Sequence, residues 1–185
     1  PRIKPRPATS GGADPASPEW PARIALRDPG SRDVSWAQKN FVHDSWKTMK
    51  LPTHWEKAGL PDYDGIVWFR RTVEVGETMA RGEATLSLGA IDDMDVTWVN
   101  GKRVGGYEQP GAHFIPRNYK LPAGTLIPGR NTIAVRVMDH GYGGGLAQTH
   151  GRMQLTGGGE TIPLTGSWHY REGASLSKLL APVPT

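Results

Sequence analysis

The sequence predicts an all-β protein, an antiparallel β-sandwich or jelly roll with one short helix. Three observations lead to this fold class. Apolar and polar residues alternate in several short segments, which is the period of a half-buried strand. Turns separate these segments, and the 24 Gly and 16 Pro among 185 residues are typical of a turn-rich protein. Strands do not alternate with helices along the chain, so a parallel sheet of βαβ units is not expected.

The first elements are predicted between residues 45 and 65. SWKTMKLP has the pattern of a short strand that ends at Pro52. THWEKAGL follows as one or two helical turns, because Thr53 and Glu56 have the spacing of a capping box and Gly59 stands where such a helix would end. PDYDG then forms a turn into the next strand.

GIVWFRRTVEV gives the clearest strand signal, and its alternation places Trp68 on the face opposite Val67 and Phe69. Further strands are predicted in ATLSLG, DVTWVNG and NTIAVRVMD, with RMQL and TIPLTGSWHY closing the sheets. Asn100-Gly101 is a strong hairpin signal, since both residues accept a positive φ. The residues predicted to face inward are Val67, Phe69, Val73, Val75, Ala84, Leu86, Leu88, Val96, Trp98, Ile133, Val135 and Val137.

Composition divides the chain into three parts. Residues 1–35 are rich in Pro, Gly, Ser and Asp and are predicted to be an extended lead-in, laid against the body by Trp20, Ile24 and Leu26. Residues 36–170 form the sandwich domain, and residues 171–185 form a C-terminal junction. There is no cysteine, so disulfides and thiolate metal sites are excluded. No apolar run reaches membrane-spanning length, and residues 1–20 lack the apolar region of a signal peptide.

Three aspartates, Asp92, Asp93 and Asp95, lead into the strand that contains Trp98. Strand alternation would send Asp93 and Asp95 to one side and Asp92 to the other, so they are not expected to converge on one ligand. We predict that they are structural and bind turn amides or an arginine, such as Arg70 or Arg136. The ligand spacing of an EF-hand is missing, and a calcium site remains the alternative.

A family resemblance is carried by DGIVWFRR, by DDMDVTWVNGKRVG, and by GRNTIAVRVMD with the glycine cluster after it. Over about residues 45–170 the chain resembles the galactose-binding-like jelly-roll domain of glycoside hydrolase family 2 enzymes. It is more similar to the version inserted into bacterial sialate O-acetylesterase-like carbohydrate esterases. The resemblance implies a host with an SGNH-type esterase domain, which removes acetyl groups with a serine nucleophile and a histidine base.

The parts that such catalysis needs are missing from this sequence. There is no GDS block, no G-x-S-x-G elbow, and no aspartate followed three positions later by histidine. Ser167 and His169 are two apart on a predicted strand, where the histidine cannot act as the base for its neighbour. His140 and His150 have no third ligand at metal spacing. We therefore predict no catalytic residues, no metal and no cofactor, and a chain that is not an enzyme on its own.

The loop MDHGYGGGLAQTHGR, residues 138–152, is the strongest candidate for binding. Its four glycines around Tyr142 predict a loop that is either mobile or pressed close against something, and a plain sandwich turn is the equal alternative. In the functional interpretation, polar side chains and an aromatic ring would contact a sugar or the mouth of the esterase site. The candidate residues are Asp139, His140, Tyr142, Gln148 and His150, with Tyr63 from PDYDG as a further candidate.

The predicted function is that of a non-catalytic accessory domain in a multidomain carbohydrate acetylesterase. It would support the catalytic domain of the same polypeptide and contact the acetylated carbohydrate. Two alternatives remain, an autonomous carbohydrate-binding module and a purely structural spacer. The formal charge of +4 is spread along the chain, so neither nucleic acid nor membrane is expected as a partner. A periplasmic or secreted bacterial location is implied by the resemblance alone.

Overall fold

The computed structural model describes residues 19–182, and for residues 148–151 it describes the backbone alone. This part of the chain forms ten strands and three short helices, in the order α1 (Trp20–Arg27), β1 (Lys47–Leu51), β2 (Gly65–Val75), α2 (Glu77–Arg81), β3 (Ala84–Asp92), β4 (Met94–Val99), β5 (Lys102–Tyr107), β6 (Pro116–Leu121), β7 (Gly129–Asp139), β8 (Gly145–Gly157), β9 (Glu160–Pro163), β10 (Gly166–Ser175) and α3 (Leu176–Leu180). No helix among them is long and apolar enough to cross a membrane.

The strands form two sheets that pack face to face. One sheet has six strands in the order β1-β10-β2-β7-β4-β5, and the other has four in the order β6-β3-β8-β9. Every strand pair within the described residues is antiparallel. The longest strand pair joins β2 to β7, from Gly65 opposite Asp139 to Val75 opposite Gly129. This confirms the predicted antiparallel β-sandwich.

The space between the sheets holds the main apolar core, which we call the inner core. Alternate residues of β2, β3 and β7 point into it, and each buried aliphatic or aromatic side chain of this kind stabilises the fold by about 1.5–3 kcal/mol. The predicted inward face is confirmed for Val67, Phe69, Val73, Val75, Ala84, Leu86, Leu88, Ile133, Val135 and Val137.

A second apolar layer covers the opposite face of the six-stranded sheet, and we call it the outer layer. It contains five buried tryptophans, namely Trp20, Trp36, Trp46, Trp68 and Trp98. Trp68 stacks on Trp98 with ring centroids 5.2 Å apart. The segment 19–46 supplies the other three. Since this layer covers the outward face of the sheet, residues 65–70 of β2 and the whole of β4 are buried on both sides.

The outer layer corrects one prediction about β4. Val96 and Trp98 were predicted to point inward, but both lie in the outer layer, and Val99 points into the inner core instead. The reason is that alternation identifies two faces without saying which one lies between the sheets. In a strand that is buried on both faces, hydrophobicity does not decide between them.

Two buried charged residues fix the N-terminal segment to the sheet. The carboxylate of Asp28 accepts a hydrogen bond from the indole N–H of Trp68 at 2.9 Å and one from the backbone N–H of Ala174 at 3.0 Å. Arg70 is fully buried and donates to the backbone carbonyl of Trp36. Burial lowers the pKa of Arg70 to about 10. Polar groups so far from water need such partners, so these bonds specify where the segment lies.

The terminal segments belong to the fold wherever they are described. Residues 19–35 fall in the predicted extended lead-in, but they contain α1 and bury Trp20 and Ile24, while Leu26 is exposed. The predicted junction 171–185 begins inside β10, and α3 buries Leu179 in the outer layer. Residues 1–18 and 183–185 lie outside the described part.

Two local predictions have opposite outcomes. The Asn100-Gly101 hairpin is confirmed, because these residues have φ of 52° and 81° and join β4 to β5. The capping box is wrong. Residues 55–57 form a single 3₁₀ turn without a side-chain cap, and Glu56 accepts a hydrogen bond from the backbone N–H of Gly144 at 3.0 Å. The carboxylate of Glu56 therefore binds the β7–β8 loop and does not cap the predicted helix.

Candidate functional site

Three loops meet at one end of the sandwich, and we call this region the loop end. They are the β3–β4 turn, the β5–β6 loop (108–115) and the β7–β8 loop (140–144). Ligand atoms of Asp93, Asp139 and His140 lie within 4.8 Å of one another. The same holds for a second group, Asp92, Asp93 and His113. Residues that are far apart in the sequence therefore share one small region.

Asp95 is part of the framework beneath this region. Its carboxylate pairs with the guanidinium of Arg117 at 2.8 Å and accepts hydrogen bonds from the hydroxyls of Tyr119 at 2.7 Å and Thr97 at 3.0 Å. Both charged side chains are fully buried. The predicted structural role of Asp95 is consistent with this geometry, but its arginine partner is Arg117, which the sequence analysis had not considered.

Arg117 also holds the β3–β4 turn in place. Its Nη2 group donates to the backbone carbonyls of Ile91 at 3.0 Å and Asp93 at 2.9 Å. Its guanidinium lies 4.5 Å from the ring centroid of Tyr107. One buried cation thereby connects β6, the acidic turn and the end of β5. This fixes the backbone from which the carboxylates of the turn project.

The prediction that Asp92 and Asp93 separate to opposite sides is wrong. β3 ends at Asp92 and β4 begins at Met94, so Asp93 stands between two strands and the alternation is interrupted there. Both carboxylates reach the loop end, where Asp139 joins them from the end of β7. A period of two holds only within a continuous strand, and the sequence had given no sign that one strand ended inside IDDMD.

The carboxyl groups of Asp92, Asp93 and Asp139 lie close together, and their surroundings shift their pKa values. Burial, together with the negative charges of Asp93, Asp64 and Asp92, raises the pKa of Asp139 to about 9. Burial and the neighbouring Asp93 raise the pKa of Asp92 to about 7. The imidazole of His140, in contact with Asp93, keeps the pKa of that carboxyl below its ordinary value. The loop end is therefore a region where carboxyl groups are concentrated at low solvent exposure.

The glycines of the β7–β8 loop allow close packing. A Cβ on Gly144 would lie 2.1 Å from Cζ2 of the buried Trp55. The backbone N–H of Trp55 donates to the carbonyl of Gly144 at 3.1 Å. Of the two predicted states, mobile or pressed close, the structure shows the second for this part of the loop. Trp55 therefore holds the β7–β8 loop against the body of the domain.

Tyr142 stands out from this loop as an exposed ring. It is 80% exposed, and its backbone has a φ of 79°. Phe114 in the β5–β6 loop is 61% exposed and packs its ring against His113 at 5.0 Å. Two exposed aromatic rings on adjoining loops, beside a concentration of carboxylates, resemble the combination that proteins use to hold sugar rings.

The other candidates from the sequence have different positions. Asp139 is fully buried, so its carboxylate does not reach an external sugar directly, and His140 is half-buried beside it. Tyr63 is also half-buried, and its single hydroxyl proton is shared between the carbonyls of Ile66 at 3.1 Å and Gly173 at 3.3 Å, which makes it part of the framework. The side chains of Gln148 and His150 lie outside the described residues.

The hydroxyl of Ser167 does not belong to a catalytic arrangement with His169. Ser167 is exposed on β10 opposite Lys50. The ring of His169 packs against that of His43, with centroids 4.6 Å apart. The residues that the sequence analysis undervalued are Asp92, Asp93, His113 and Phe114. Their common feature is a position at the end of a strand or in the loop that follows, which becomes informative only once the sheet order is known.

Comparison with known proteins supports the fold. No sequence-family model matches the chain. A β-galactosidase from Arthrobacter sp. (strain B7) is 23% identical over 148 residues, which are 66% of this chain and 14% of that protein. β-Glucuronidase 2 of Bacteroides uniformis has a TM-score of 0.53 at 19% identity, over 73% of this chain and 15% of that one.

A glycosyl hydrolase family 2 member from Bacteroides cellulosilyticus DSM 14838 has a TM-score of 0.50 at 20% identity, covering 60% of this chain and 17% of that one. The chain thus has the fold of a β-sandwich domain found within family 2 glycoside hydrolases, and it spans less than a fifth of their length. The proteins named here are glycosidases. The predicted esterase host therefore finds no support among them.

Proposed function

We propose that this chain is a non-catalytic accessory domain of a larger carbohydrate-active hydrolase, and that its loop end faces the carbohydrate. The observation that carries the proposal is the loop end itself. Exposed rings of Tyr142 and Phe114 stand beside polar and acidic side chains, on loops that a rigid sandwich holds in place. The fold relation to parts of β-galactosidase and β-glucuronidase gives this surface a carbohydrate context.

The kind of host remains part of the proposal. A glycoside hydrolase is favoured by the proteins that share the fold, while the motifs DGIVWFRR and DDMDVTWVNGKRVG favour the acetylesterase. In either host the domain would support the catalytic domain and add the β7–β8 loop to the surface around its substrate. We propose no catalytic residue in this chain. Binding of a free sugar by the domain alone, and a purely structural role, are the two alternatives.

The experiment that tests this function is calorimetric titration of the chain with a panel of glycans. The panel contains β-galactosides, β-glucuronides, sialyl oligosaccharides, and acetylated and deacetylated xylan. We expect saturable heat with at least one class, and a loss of affinity of about fivefold in Tyr142→Asn, since stacking on an aromatic ring contributes on the order of 1 kcal/mol. Asparagine tolerates the positive φ at this position.

The matched control is Val42→Ala, which removes an exposed apolar side chain of the N-terminal segment and should leave the affinity unchanged. Unaltered binding in Tyr142→Asn would contradict the role of the loop end. Absence of heat with every glycan would favour the purely structural role. Turnover of nitrophenyl glycosides or acetate esters by the chain itself would overturn the non-catalytic assignment.

A further inference from the structure

The loop end contains a set of donor atoms that suits a metal ion. One ligand atom each from Asp93, Asp139 and His140 lies within 4.8 Å of the others. Ligand atoms that surround one cation at about 2.1 Å are separated by roughly 3–4 Å, so only a small adjustment would bring these three around an ion. They come from two separate parts of the chain, the β3–β4 turn and the end of β7.

A second observation points to a missing partner at the same place. Asp139 is fully buried, and its Oδ1 accepts a hydrogen bond from the backbone N–H of Gly141 at 3.0 Å. Its Oδ2 is buried too, and no hydrogen-bond donor among the described residues reaches it. A buried carboxylate oxygen without a partner is costly, and native structures normally supply one. A cation would satisfy this oxygen.

The charge balance supports the same conclusion. The carboxylates of Asp92, Asp93 and Asp139 converge on the loop end, where the imidazole of His140 contacts Asp93. The buried Arg117 does not neutralise them, because its Nε pairs with Asp95 and its other N–H groups donate to backbone carbonyls. A divalent cation would supply the positive charge that Arg117 does not provide to these carboxylates.

We propose that Asp93, Asp139 and His140 bind one divalent cation at the loop end, with Asp92 beside it on the more exposed side. The combination of one imidazole with carboxylates favours Zn²⁺ or Mn²⁺ over Mg²⁺ and Ca²⁺, which prefer all-oxygen sites. Such an ion would join the β3–β4 turn to the first residues of the β7–β8 loop. It would thereby order the loop that presents Tyr142. This site does not depend on the proposed carbohydrate function.

The test uses the full chain after treatment with EDTA and removal of the chelator. Thermal unfolding is measured with Zn²⁺, Mn²⁺, Ca²⁺ or Mg²⁺ added singly, and retained metal is measured after gel filtration. We expect Zn²⁺ or Mn²⁺ to raise Tm and to be retained at about one ion per chain, because a ligand that binds only the folded state stabilises it.

The decisive variants are Asp139→Asn and His140→Gln. Loss of partners that merely orient a metal ligand lowers affinity by about 10–100-fold, so loss of a ligand should cost at least that much. Asp139→Asn keeps the shape of the side chain and should fold, with a metal-free Tm at neutral pH no lower than that of the wild type. The matched control is Asp62→Asn, an exposed acid close in sequence to Asp64, which should keep both the Tm shift and the retained ion.

Three results would overturn the proposal. The first is no Tm shift and no retained ion with any of the four metals. The second is an equal response in Asp139→Asn, which would place the ion elsewhere on the chain. The third is a response to Ca²⁺ alone that persists in His140→Gln, which would exclude the histidine as a ligand.

Discussion

Arg117 and Asp95 show how single residues determine the shape of the loop end. The pair is buried without access to water, and each partner is also hydrogen-bonded to its surroundings. A buried charge that loses its partner is left uncompensated, which is far more costly than the loss of an exposed pair. The position of the acidic turn therefore depends on one arginine in β6.

We expect Arg117→Met to lower the free energy of unfolding by about 3–5 kcal/mol, because it leaves Asp95 buried and unpaired. Urea unfolding followed by fluorescence measures this change. The control is Arg81→Met, which breaks the exposed pair between Arg81 and Glu77 and should cost well under about 1 kcal/mol. Equal effects of the two substitutions would contradict the assigned role of Arg117.

His43 gives a pH-dependent prediction. Burial and the positive charge of Arg70 lower its pKa below 6.5, with His169 acting in the same direction and Asp44 against it. The Nε–H of Arg70 donates to Nδ1 of His43 at 3.3 Å, which also favours the neutral imidazole. The folded state is thus stabilised by neutral His43 above its unfolded pKa, and this stability is lost as the pH falls.

We therefore expect the wild type to lose more stability between pH 7.5 and pH 5 than His43→Gln, in which the amide oxygen still accepts from Arg70. Urea unfolding at the two pH values measures the difference. Equal losses in both proteins would show that His43 does not contribute to the acid sensitivity of the fold.

At the level of one residue, the sequence allowed the role of Asp95 to be predicted but not its partner. A carboxylate in an apolar strand needs a cation, and that much follows from composition. The sequence suggested Arg70 or Arg136 and not Arg117, since only the pairing of β3 with β6 shows that Arg117 is near. Asp93 was misplaced for a related reason, because its position depends on where β3 ends.

The conformation of the β7–β8 loop depends on its packing against a distant element. Gly144 lies against Trp55, and the substitution Gly144→Ala would place a methyl group inside the ring. We expect this change to destabilise the protein by about 1–3 kcal/mol, which is the usual cost of overpacking. Thermal and urea unfolding measure it. Gly82→Ala is the control, since a Cβ at Gly82 has no neighbour within 4 Å, and a comparable loss there would contradict the packing argument.

Elements that depend on local chemistry were predictable, and those that depend on distant contacts were not. The hairpin at Asn100-Gly101 needs only two residues that accept a positive φ. The turn at 55–57 instead shares Glu56 with Gly144 of another loop, so its local capping signal was misleading. For β2, β3 and β7, the face that alternation predicted to point inward does lie in the inner core.

For the whole molecule, the main difference from the sequence prediction is the outer layer. Residues 19–46 cover the sheet with Trp20, Trp36 and Trp46, so this segment is as much part of the fold as the strands. A region rich in Pro, Gly and Asp gives few local signals of order. Its three tryptophans indicate that the segment packs against an apolar surface. Which surface they cover can be seen only once the sheet is assembled.

This view predicts that Trp36→Ala lowers the free energy of unfolding by about 3–5 kcal/mol, as in an ordinary core. Leu86→Ala in the inner core is the reference, with an expected loss of about 2–5 kcal/mol. Urea denaturation of both variants gives the comparison. A change below about 1 kcal/mol for Trp36→Ala would contradict the view that the outer layer is part of the core.

The most direct test of the central claim is hydrogen–deuterium exchange of the chain with and without the glycans of the panel, each at millimolar concentration. Our account predicts slower exchange in residues 108–115 and 139–146 with at least one glycan, and no change across the outer layer. This result would place the carbohydrate at the loop end even when binding is weak. Protection confined to other surfaces, or no protection with any glycan, would contradict the account.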